Sequence, residues 1–144
     1  MPLIKTRTIP VISDALKNLH PVLARVYAAR GVDAPEQIQH KLKHLVTAQQ
    51  LHGMTAALDL LTVALQQQHR IVIVGDFDAD GATSTALSVL ALRAMGAKHV
   101  DYLVPNRFKF GYGLTPEIVD VALADKNPQL IMTVDNGISS REGV

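Results

Sequence analysis

At 144 residues, 48% of them hydrophobic and 19% charged, the chain has the size and composition of a globular domain with a core of its own. A formal net charge of +1 carries no information about a polyanionic partner, and the lack of cysteine excludes disulfides, thiolate catalysis and cysteine-bound zinc. Residues 1–10 lack the apolar core of a signal peptide and no apolar run is long enough to span a bilayer, so a cytoplasmic protein with no membrane partner is expected.

The first third reads as a helical arm. Val22, Leu23, Val26 and Tyr27 predict a helix over 20–30 that Gly31 stops, and residues 35–45 read as a second short helix. Met54, Leu58, Leu61 and Leu65 form a stripe that predicts a longer helix over 53–68. A boundary near His52-Gly53 divides the chain into an arm, 1–52, and an α/β part, 53–144.

The α/β part repeats one unit. A strand over 71–74 leads to a helix over 82–95 ended by Gly96, and a second strand follows over 100–104. After a loop over 105–114, Thr115 as N-cap and Pro116 at the first position open another helix, which ends before Asn127-Pro128. A third strand is expected over 129–134. Strands recurring about every thirty residues mark βαβ units. Ile71-Val72-Ile73-Val74 and Leu130-Ile131-Met132 are apolar without alternation, as in strands covered on both sides. The expected fold is α/β: a parallel, Rossmann-like sheet with helices on both faces, preceded by the helical arm. Ser139 to Val144 stop where a further helix should begin, so the chain is expected to be a piece of something longer.

Aspartates mark the strand ends. Asp76, Asp78 and Asp80 follow the first strand at every second position, and Asp135 follows the third. In a parallel sheet these ends lie on one edge, where ligands bind, and Asn106 after the second strand joins them there. For Asp76 and Asp135 to share an ion their strands should be neighbours, about 4.8 Å apart rather than roughly 10 Å. The order 2-1-3 is therefore predicted. Carboxylates without thiolates favour Mg2+ or Mn2+, and two such ions would suit phosphoester hydrolysis. Gly81 is expected to allow a close backbone turn, and Ala82-Thr83-Ser84 to open a helix whose free N–H groups accept a phosphate.

Three other readings compete. A single aspartate after a strand is ordinarily a turn or cap residue. Asp76, Asp78, Asp80 and Gly81 also match the first half of a calcium loop, but its twelfth position is Leu87 where a bidentate glutamate is needed, and a strand precedes it instead of a helix. A phosphoaspartyl enzyme would use one aspartate as nucleophile and would have no evident need of the third.

The blocks GDFDADGATSTALSVLAL, YLVPNR with GYGLTPE after it, and LIMTVDNGISS resemble the DHH phosphoesterase superfamily, and within it the bacterial single-stranded-DNA exonucleases, from about Arg70 onward. The resemblance implies a 5′→3′ exonuclease of repair and recombination that depends on Mg2+ or Mn2+ and meets a helicase or a single-strand-binding protein as partners. By motif, Asp76, Asp78 and Asp80 supply the first metal-binding block and Asp135 the acid between two ions. Asn106 and Arg107 face the scissile phosphate, a role that suits a bidentate, permanently charged guanidinium. Tyr112, between Gly111 and Gly113, is read either as a stacking platform for a base or as a buried loop tyrosine. The Asp-His-His block that names the family is absent, and none of the six histidines stands in its place. His69 and His99 precede strands, on the edge away from the acids. The expectation is an N-terminal portion that is inactive alone. The alternatives are a relative acting on short oligonucleotides or cyclic dinucleotides, and a non-catalytic metal- or DNA-binding fragment. Lys41, Lys43, Arg107 and Lys109 add a few charges for phosphate contacts.

Overall fold

The computed structural model describes residues 8, 10–39 and 41–144. These divide into two compact units, Met1–Leu51 and His52–Val144.

In the first unit, helix α1 (Pro21–Ala28) starts on a proline whose missing N–H is no loss at that position. The ring of His20 accepts the Val22 N–H at 3.3 Å, and Gly31 leaves the helix at φ +76°. The single helix expected over 35–45 is instead two short 3-10 turns, Pro35–Ile38 and Leu42–His44. A helix of that length needs an apolar face packed on something, and Leu42 and Leu45 are 89% and 76% exposed.

The second unit is built on a three-stranded parallel sheet. Strand β1 (Ile71–Val74) is its centre, and all four side chains are buried. It pairs with β2 (Val100–Leu103) in the register Ile71↔Val100 and with β3 (Leu130–Thr133) in the register Ile71↔Leu130. The order is β2-β1-β3, the arrangement the acidic strand ends require. Alternate side chains of β1 serve opposite faces. Ile71 and Ile73 meet Ala64 of helix α2 (Met54–Gln66) and Val89 and Leu92 of helix α3 (Ala79–Ala94). Val72 and Val74 meet Leu114 and Ile118, the latter in helix α5 (Pro116–Lys126). Parallel crossovers are right-handed. One connection moves to β2 and the next returns past β1 to β3, so α3 and α5 cover opposite faces. The direction of winding changes between β1 and β3, and open α/β sheets bind ligands at such a point.

The stripe on α2 faces the core: Leu61 and Leu65 pack against it beside the buried Ala64, and Leu58 stands apart at 53% exposure. Two further expectations need correction. Helix α3 begins at Ala79, three residues early, because Asp78 caps it by accepting the Gly81 N–H at 3.0 Å. Ala82-Thr83-Ser84 therefore lie inside the helix and present no free N–H to a phosphate. The loop over 105–114 holds a four-residue helix, α4 (Arg107–Phe110), capped by Asn106 accepting the Phe108 N–H at 3.0 Å. Among the described residues no helix is long and apolar enough to cross a membrane.

Candidate metal centre

The site grows out of the C-terminal end of β1. Gly75 packs against Thr85 of α3 so closely that a Cβ would collide with the threonine hydroxyl. Gly81, in the first turn of α3, lies against the Asp76 backbone, where a Cβ would stand 2.5 Å from the carbonyl carbon and 2.7 Å from Cα. Its φ is not positive, so the need for glycine is closeness rather than turn geometry. These two contacts draw α3 onto the end of the strand. They fix the cap residue Asp78 beside Asp76.

Asp76 is buried, at 6% exposure. Its Oδ1 accepts the Phe77 N–H at 2.7 Å, and Arg107 Nη2 donates to both carboxylate oxygens, each at 2.8 Å. The guanidinium carbon lies 3.6 Å from the centre of the Phe77 ring and 5.4 Å from that of Tyr112, within cation–π range of both. The Arg107 hydrogen bond holds the Asp76 carboxyl below its ordinary range against the opposing effect of burial. Arg107 Nε is buried without a partner.

Asp135 comes from the other side of the switch point. Its backbone is left-handed, at φ +62°. Aspartate tolerates that conformation better than most residues, and uncommon backbone geometry concentrates at functional sites. Gly137, at φ +102°, continues the turn against the Thr133 side chain. The Tyr112 hydroxyl donates to the Asp135 carbonyl at 3.0 Å, which ties the α4 loop to the end of β3. The Asp135 carboxyl is raised above its ordinary value. Loss of water around it comes first, then the charge and hydrogen bond of Asp78, then the charges of Asp80 and Asp76.

One carboxylate oxygen from each of Asp76, Asp78 and Asp135 lies within 4.8 Å of the others. Asp80 stands in the first turn of α3, outside that trio, and acts on it through its charge. Among the described residues the cluster contains no histidine. The donors are all hard oxygens, which fits Mg2+ or Mn2+ and not a thiophilic ion. Asn106 spends its side-chain oxygen on the α4 cap. Arg107 faces the acids, and Tyr112 is 62% exposed with its ring beside Arg107. Phe77, the ring under the guanidinium, was not singled out from the sequence, although an aromatic between two aspartates is its signal.

The model of the DHH family, N-terminal domain, matches residues 70–144. A single-stranded-DNA-specific exonuclease RecJ from Escherichia coli is 51% identical over 98% of this chain, and the one from Haemophilus influenzae is 54% identical over 99%. In both cases the chain spans 24% of the relative's length. A crystal structure of exonuclease RecJ bound to manganese superposes with a TM-score of 0.57 at 41% identity, over 66% of this chain and 24% of that one. An acidic strand edge at the switch point of a parallel sheet, lying within the segment that the family model matches, shows that this chain belongs to the DHH family.

Proposed function

We propose that the chain supplies the cation-holding part of a single-stranded-DNA exonuclease that hydrolyses terminal phosphodiesters in repair and recombination, working 5′→3′ in the cytoplasm. The observation that carries this reading is the convergence of Asp76, Asp78 and Asp135 from two adjacent strand ends. The relatives' names supply the substrate, and the manganese of the similar structure agrees with the donor chemistry. Asp76, Asp78 and Asp135 would hold a divalent ion, and Asp80, in the first turn of α3, would add its charge toward a second. Divalent ions at such a site make water nucleophilic at neutral pH and stabilise the charge that develops on phosphate.

The chain's own groups do the rest. The left-handed turn and the Tyr112 hydrogen bond aim the Asp135 carboxylate. Arg107 pairs with the phosphate oxygens and Tyr112 offers an exposed ring to a base. A helicase and a single-strand-binding protein are partners this reading proposes. The test uses the protein that carries this sequence at the length of its relatives. With Mn2+ it should degrade a long 5′-phosphorylated single strand far faster than its duplex or a dinucleotide, and Asp78→Asn should abolish turnover. Preference for the dinucleotide, or activity retained by Asp78→Asn, would contradict the reading.

A further inference from the structure

Arg107 takes the very lone pairs of Asp76 that a cation would need. A single nitrogen, Nη2, bridges both carboxylate oxygens at equal distances of 2.8 Å, the position of a chelated ion. Phe77 donates its N–H to Oδ1 as well, so three of roughly four acceptor sites are engaged. We propose that Arg107 and the divalent cation compete for Asp76, so that cation binding releases Arg107 to the substrate phosphate. The inference rests on the metal-centre reading above and deepens it.

Three features make the guanidinium releasable. Its Nε is buried and unpaired, so the pose is held by the carboxylate and the aromatic platform alone. Arg107 is the first residue of α4, and that element is fixed independently by the Asn106 cap and by Phe110 packed on the core. The side chain can therefore turn away by rotating its own torsions. The Tyr112 ring at 5.4 Å offers a second aromatic face beside the first. Cation and phosphate binding then reinforce one another: the ion frees the arginine, and a phosphate that captures the arginine leaves Asp76 to the ion. Such coupling is reciprocal.

Phe77→Leu separates competition from simple charge repulsion, because it leaves every charge in place and removes only the platform. Phe77 is 52% exposed, so the fold does not depend on it. Mn2+ affinity is read by the loss of the free-ion electron paramagnetic resonance signal on titration of the parent chain, Phe77→Leu, Phe77→Tyr and Arg107→Gln. Competition predicts binding about 3-fold tighter in Phe77→Leu, parental binding in Phe77→Tyr, and binding about tenfold tighter in Arg107→Gln. Tighter binding in Arg107→Gln with Phe77→Leu unchanged is the signature of bulk electrostatics and overturns the inference while sparing the metal centre. No saturable Mn2+ binding by any of the four chains overturns both.

Discussion

Asp135 shows most plainly what the acidic rim costs the fold. Its carboxyl is pushed above the ordinary 3.8 by lost hydration and by Asp78, Asp80 and Asp76. Folding therefore disfavours its charged form. Below 3.8 the side chain is protonated in both folded and unfolded chains and the penalty vanishes. As pH rises through the raised value the unfolded chain ionises first, and stability is lost. Asparagine keeps the shape and accepts the left-handed backbone. Asp135→Asn should therefore melt at a higher temperature than the parent at neutral pH, and the gap should close as pH falls below 3.8. Thermal unfolding followed by circular dichroism across that range checks this. Equal melting at neutral pH, or a gap that widens in acid, would contradict it. A site residue whose removal stabilises the fold is kept for something other than the fold.

Among the elements, α3 sets the geometry of the site through Gly81. Alanine there gains about 1 kcal/mol in helix propensity. Its Cβ, however, would stand 2.5 Å from the Asp76 carbonyl carbon, against backbone that cannot rotate aside. Overpacking of this kind outweighs the gain, and Gly81→Ala should lower stability by about 1–3 kcal/mol in urea unfolding. An unchanged or raised midpoint would show that α3 can lift off the strand freely. The strands and their order were legible in the sequence, because a short unbroken run of β-branched residues such as Ile71-Val72-Ile73-Val74 suits a strand covered on both sides, as β1 is, and the paired acids need neighbouring strands. The start of α3 was not. Asp78 can cap a helix or end a strand, and only its hydrogen bond to the Gly81 N–H decides. The turns over 35–45 were missed because periodicity records an apolar face without recording whether anything covers it. The Asp76–Arg107 pair joins residues 31 apart in sequence, and no local pattern announces it.

At the scale of the whole molecule, a net charge of +1 conceals a strong separation. The C-terminal edge of the sheet gathers Asp76, Asp78, Asp80 and Asp135 against Arg107. That concentration follows from topology: two crossovers of opposite direction place β1 and β3 side by side, so that their C-terminal ends meet at one edge. Both apolar clusters around the sheet are formed by residues of the His52–Val144 unit, the unit that also carries the whole family match. The site residues legible in the sequence were those whose chemistry repeats, the alternating aspartates. Phe77 and the left-handed turn at Asp135 depend on three-dimensional placement. The proposed cation site between these carboxylates should show itself in anomalous diffraction from crystals soaked in Mn2+, as a peak about 2.1 Å from oxygens of Asp78 and Asp135, lost in Asp135→Asn crystals. A peak elsewhere on the chain, or none between these carboxylates, would contradict it.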